Sequence, residues 1–203
     1  MSFSLCGTLE LPSINFICSG KKKKKKKQKC TKHVSAILDD IDNLLSHQDF
    51  DRDFLSDHLL SKIIQLSASE FGFIGQVDDV GDNIPRLFCY AISNIRYNSS
   101  SGITRGDEIP CFQDPFFKSV FSTGKSIFVN KFPVSHTGNT HPLYSRVLCI
   151  PITVGKRVVG MVCLCNKFEA YSKHDQDNVE QVIKTLAYLL FIIGSEIPTT
   201  PNC

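Results

Sequence analysis

The stretch VVGMVCLCNKFEAYSKHD, Val158 to Asp175, decides the fold. Its first eight residues are apolar almost without exception, and the run turns polar at Asn166. Strand alternation sets Val158, Gly160, Val162 and Leu164 on one side and Val159, Met161, Cys163 and Cys165 on the other. Neither side suits water. A strand of this kind lies centrally in a sheet covered on both faces, so the rest of the chain must supply two covers.

Helical periodicity surrounds the strand. Between Thr31 and His47, residues Val34, Ile37, Leu38, Ile41, Leu44 and Leu45 recur at helical spacing. A second helix is expected in DRDFLSDHLLSKIIQLSASEF, with Asp51 or Asp53 as its cap. Its apolar side is read as Phe54, Leu55, Leu59, Ile63, Ile64 and Leu66, and its end as Gly72. The last helix starts at Ser172, where Ser172 and Asp175 imitate a capping box, and runs to Gly194.

Strand signals lie between the helices. GFIGQVDDV and RLFCYAIS form a hairpin about the turn residues Gly81, Asp82, Asn83 and Pro85, and VLCIPITV and KRVVGMVCLCN form another about Gly155. Asn94 to Gln113 reads as a long loop. DPFFKSVFSTG gives a short helix, with Asp114 capping, Pro115 in the first turn and Gly124 at the end, and SIFVN gives a brief strand. The segment KFPVSHTGNTHPLYSR is again irregular, and long irregular segments in a small domain usually carry function. The order predicts an α+β fold, in which terminal helices cover one face of an antiparallel sheet and the loop-rich middle covers the other.

With 203 residues, 42% of them hydrophobic, the chain suffices for one well-filled core. The expected organisation is a flexible arm over 1–30, a folded domain over 31–194 and a tail over 195–203. The net charge of +3 includes the seven lysines Lys21 to Lys27, without which the chain is mildly acidic. This run offers at most weak phosphate or nucleic-acid contact, or nuclear import. No aromatic residue interleaves it for base stacking, and homopolymer drift in an AT-rich genome would also produce it. Nine scattered cysteines with no secretory signal before them read as reduced thiols of an intracellular, cytoplasmic protein. The apolar stretch LAYLLFII is far shorter than the roughly 20 residues of a membrane span, so no membrane partner is expected.

Five pieces in order resemble the GAF family: SASEFGFIGQV with AISNIRYN, FFKSVFSTGKSIFVN, GNTHPLYSRVLCIPI, and VVGMVCLCNKFEAYSKHD. The likeness spans nearly all of Asp51 to Ile193 and looks nearest to the GAF sensor modules of bacterial histidine kinases and cyclic-dinucleotide enzymes. It implies a PAS-like six-stranded antiparallel sheet, with terminal helices on one face and a small-molecule pocket on the other. It also implies a homodimer through the terminal helices. Thr140-His141-Pro142 stands where these relatives usually show Gly-His-Pro, and Cys165-Asn166-Lys167 where they usually show Ala-Asn-Arg. With no output domain in the sequence, the expected signal is association with an output protein.

Asn166, Lys167, Tyr171 and Asp175 resemble the Asn-Lys...Phe...Asp-Glu motif of cyclic-nucleotide phosphodiesterase GAF domains, with Tyr171 for Phe and Gln176 for Glu. A Lys167–Asp175 ion pair would pin the strand end to the last helix, and this structural clamp is the preferred reading over nucleotide recognition. Asn94, Tyr97, Phe112, Phe117, His141 and Tyr144 fall in segments that should roof the sheet, and make an aromatic, partly polar lining for a small planar ligand or a satellite core. His136 is the lesser histidine of that region. Cys163 and Cys165 share a face, with Cβ atoms roughly 6 to 7 Å apart, too far for an easy disulfide. Cys149 on the neighbouring strand could approach them, which admits a redox reading, although burial as small hydrophobes is the simpler one. No Cys-x-x-Cys pair, catalytic triad, paired carboxylates or Gly-rich phosphate loop is legible, so neither a metal nor catalysis is expected, and no cofactor is specified. The function expected is a non-catalytic sensory or regulatory module. A pocket-less scaffold tethered by its basic arm, or a thiol redox protein, are the alternatives.

Overall fold

The structure, a computed structural model, describes residues 32–46, 51–78, 85–93, 104–109, 115–131 and 145–194. The arm over 1–30, the tail over 195–203, Asp114 and the first hairpin's turn residues Gly81 to Asn83 lie outside the described residues, as do the side chains of Leu186 and of 188–194.

Helices α1 (Lys32–Leu45) and α2 (Arg52–Ser67) lead into the hairpin of β1 (Phe71–Asp78) and β2 (Arg86–Ser93). There follow β3 (Glu108–Ile109), α3 (Pro115–Thr123), β4 (Ile127–Val129), β5 (Val147–Val154), β6 (Arg157–Cys165) and α4 (Lys173–Gly194). The six strands form one sheet in the order β3-β2-β1-β6-β5-β4, with every neighbouring pair antiparallel. The VVGMVCLC strand, β6, is central as its two greasy sides require. The predicted α+β layout is the one found.

Two apolar layers flank the sheet. On one face Val34 and Ile41 of α1, Leu59 and Ile63 of α2, and Val179, Val182 and Ile183 of α4 pack on Leu148, Ile150, Val162 and Leu164. Each such side chain, fully buried, contributes about 1.5–3 kcal/mol. On the opposite face Phe117 and Val120 of α3 pack on Phe73, Leu87, Cys149, Met161 and Cys163. Asp40 of α1 ties the first two helices together, accepting from His58 at 2.8 Å and Lys62 at 3.0 Å of α2.

Four details differ from the sequence reading. Helix α2 ends at Ser67, before Gly72, because Ala68 turns left-handed (φ 53°) and its N–H returns to the last helical carbonyls; Gly72 lies inside β1. Phe54 is 55% exposed, and Leu60, omitted from the apolar side, is buried instead. The long loop contains β3, two residues that pair with Leu87 and Phe88. Finally, strict alternation fails in β6. The β5–β6 register slips between Ile152 and Thr153, leaving Val159 with no residue opposite, so that Val159 joins Val162 on the helix-covered face. Val158 faces the α3 side instead, where a Cβ at Gly124 would touch it at 3.7 Å.

Candidate functional site

The α3-covered face is the candidate binding face, and its floor comes from β1, β2, β5 and β6. Phe73, Leu87, Cys89, Cys149, Met161 and Cys163 are all buried there beneath Phe117 and Val120. Among the predicted lining residues, Phe117 is 3% exposed and meets Phe116 edge-to-face at 5.1 Å, so it fills the floor. Asn94, Tyr97, Phe112, His141 and Tyr144 lie outside the described residues, as does His136.

Cys149 and Cys163 stand directly opposite each other on β5 and β6, with their Sγ atoms 2.8 Å apart. The Met161 Sδ lies 3.7 Å from Cys149 Sγ. Cys165 shares the face of Cys163 but packs in a separate cluster with Phe71 and Val147. Burial raises the Cys165 thiol well above its ordinary value and pushes Cys89 up to about 11, so both stay protonated. Among the described residues, no group of three or more His, Cys, Asp or Glu side chains could hold a metal ion.

At one end of the face the Asn166, Lys167, Tyr171 and Asp175 group spans from the end of β6 to the start of α4. Lys167 Nζ lies 2.7 Å from Asp175 Oδ1. The Ser172 amide (2.8 Å) and hydroxyl (2.7 Å) donate to Asp175 Oδ2, and the Asp175 amide donates back to Ser172 Oγ at 3.3 Å. Burial alone would raise the Asp175 carboxyl, but Lys167 and Ser172 outweigh it and hold it below its ordinary value. Asn166 takes a left-handed conformation (φ 57°), which asparagine tolerates. Its Oδ1 accepts from the Ser145 amide at 2.9 Å, and its own amide donates to the Arg146 carbonyl at 2.9 Å.

The Tyr171 backbone exchanges two hydrogen bonds with the Asn130 side chain, at 2.7 and 2.9 Å. Its hydroxyl pairs with Ser69 Oγ at 2.7 Å, linking the group to the end of α2. Asn130 and Ser145 bracket the segment that carries His141 and Tyr144. The clamp therefore fastens both approaches to that segment onto the β6–α4 connection, a role wider than the single ion pair that the resemblance suggests.

Arg105 was not singled out in the sequence. It precedes β3, and its Nη1 donates to the Tyr90 carbonyl (2.5 Å) and to Asp53 Oδ1 (2.9 Å), while Nη2 reaches Asp57 Oδ1 at 2.8 Å. The guanidinium also lies 5.8 Å from the Tyr90 ring centroid. The turn that leads into β3 is thereby anchored to α2 in the helix layer. The available signal was Thr104-Arg105-Gly106-Asp107, a turn in which Asp107 accepts from Thr104 N at 2.6 Å and Gly106 takes φ +89°.

Cavities among the described residues also lie elsewhere, and two are well formed. One of about 40 Å³ on the helix-covered face is lined by Ile74, Gln76, Tyr90, Ile152 and Gly160, and the buried Gln76 Oε1 has no hydrogen-bond partner among the described residues. That volume accommodates a water. The other, an open cleft of about 350 Å³, lies between Gly124–Ser126, the β5 residues Ile150, Pro151 and Thr153, and Gln176, Glu180 and Lys184 of α4. Burial would raise the Glu180 carboxyl, but hydrogen bonds from Lys184, Gln176 and Ser126 prevail and bring it down to about 2.

A family model described as "GAF domain" matches residues 51–190. Among solved structures, the GAF domain of a phosphoenolpyruvate-protein phosphotransferase from Acinetobacter is similar, with a TM-score of 0.63 at 12% identity, over 83% of this chain and 96% of that one. The corresponding domain from Coxiella burnetii gives a TM-score of 0.61 at 12% identity, over 81% and 96%. A GAF domain/HD domain protein from Geobacter sulfurreducens gives 0.53 at 14% identity, over 79% and 97%. At these identities the likeness is one of fold. No curated protein sequence matches. Among the described residues, no helix is long and apolar enough to cross a membrane.

Proposed function

The chain belongs to the GAF family, and from that premise we propose that it is a non-catalytic sensory or regulatory module that binds a small molecule or a protein partner and passes on its state by association. The observation that carries the reading is the double anchoring of the candidate face. The turn before β3 is tied to α2 through Arg105, and the residues just after β4 and just before β5 are tied to the β6–α4 connection through Asn130 with Tyr171 and Ser145 with Asn166. A ligand held by Asn94, Tyr97, Phe112, His141 and Tyr144 would bear on the helix layer through those two ties. The same layer would pair two copies in parallel through α1 and α4.

Native mass spectrometry of the purified chain beside its denatured mass tests this. Extra mass lost on denaturation supports the reading and gives the ligand class. A bare mass, with no thermal shift on adding cyclic nucleotides, haem or tetrapyrroles, overturns the small-molecule form. Light scattering at tens of micromolar checks the dimer, which a monomer mass removes.

One observation favours a second reading. Phe117 and Val120 already occupy the floor, as they would in a scaffold whose pocket has filled. A bare native mass together with a dimer would support it, with the lysine run Lys21 to Lys27 as a weak nucleic-acid tether.

A further inference from the structure

Cys149 and Cys163 meet the requirements of a reversible covalent site. They are opposed residues of neighbouring antiparallel strands, a placement that brings Cβ atoms to about 4.5–5.5 Å, while a disulfide needs about 3.5–4.5 Å. With the sulfurs already 2.8 Å apart, a small pinch of β5 toward β6 suffices. The other buried thiols are placed differently: Cys165 is opposite Val147, and Cys89 on β2 is separated from β6 by β1.

Access is the second constraint. Both thiols are 0% exposed, under Phe117 and Val120 of α3. A disulfide the size of oxidised glutathione reaches neither sulfur unless α3 lifts away. Hydrogen peroxide, little larger than water, needs far less opening.

We propose that Cys149 and Cys163 are a peroxide-oxidisable dithiol that closes to a cross-strand disulfide on the floor of the candidate face. One sulfur attacks the peroxide O–O bond, which breaks to give a sulfenic acid, and the thiol proton leaves with the departing hydroxide as water. The second thiol attacks that sulfur, the S–S bond forms, the S–O bond breaks, and a second water leaves. One peroxide is reduced to two waters while the pair loses two hydrogens. A dithiol reductant restores it.

The test exposes the full, natively folded chain to hydrogen peroxide, quenches with catalase, then denatures, alkylates and maps the peptides. The expected result is a Cys149–Cys163 cross-link, with two hydrogens lost and reversed by dithiothreitol, while Cys89 and Cys165 remain alkylated. Oxidised glutathione under the same exposure should leave the pair alkylated, and a cross-link formed as readily by glutathione overturns the access argument. In Cys149→Ser the cross-link should vanish and Cys163 should be trapped by dimedone added together with the denaturant. Should that variant fail to fold, the wild-type map decides alone. Both thiols fully alkylated after peroxide, oxygen added at Met161 in their place, or a link to any other cysteine overturns the proposal.

Discussion

Lys167 Nζ and Asp175 Oδ1 lie 2.7 Å apart with their side chains only 13% and 12% exposed, joining the end of the central strand to the start of the last helix. A pair so shielded costs much to break, because the surviving charge stays behind without its partner.

Asp175→Asn should therefore destabilise the chain by about 2–4 kcal/mol in urea unfolding, and Asp175→Ala by more, since it also removes the capping acceptor of Ser172. Lys167→Met should cost less than either, because Asp175 keeps the two Ser172 donors. A Lys167→Met loss equal to that of Asp175→Ala would contradict the division of labour.

Arg105 is a fork with partners on α2 and β2, and a lysine point charge cannot reach all of them. Arg105→Lys should cost about 1–2 kcal/mol, modest because Asp53 and Asp57 are largely in solvent. Hydrogen exchange should quicken at the Gly106 and Cys89 amides, which bond across the same turn. Unchanged exchange there would remove Arg105 as an anchor.

The Glu180 carboxyl falls from an ordinary 4.5 to about 2 in the folded chain. A depressed acid stabilises the fold above its unfolded pKa, and that stabilisation is lost as pH falls from 4.5 toward 2. After screening at the open cleft it amounts to about 1–2 kcal/mol. Glu180→Gln should flatten this part of the stability-versus-pH curve without abolishing it, because Asp40, Asp107 and Asp175 are lowered too. An acid limb as steep as the wild type's would refute the assignment.

Gly160 lets β6 approach β1 closely, since a Cβ there would collide with the Gly75 carbonyl oxygen and touch Ile152 Cδ1 at 3.4 Å. The obstacle is backbone and cannot rotate away. Gly160→Ala should cost about 1–3 kcal/mol, read as a fall in the urea midpoint.

Phe117→Ala separates floor from lining. As a packed floor residue Phe117 should cost about 3–5 kcal/mol on truncation. Near-wild-type stability with an altered bound mass would place it in an open pocket instead.

The sequence by itself determined the order of every element except β3, the α+β class and the central place of β6, because each depends on local periodicity, capping and turn chemistry. It also pointed, through its resemblance to the Asn-Lys...Phe...Asp-Glu motif, to the Lys167–Asp175 pair, which joins one strand end to one helix start. It could not reveal that Val159 bulges, since a bulge is a mismatch between two strands and leaves no mark on either alone. Nor could it show that Arg105 reaches Asp53, 52 residues away, or that Cys149 opposes Cys163 rather than Cys165. Those relationships depend on pairing register and on which face each segment covers, and only the folded sheet decides them.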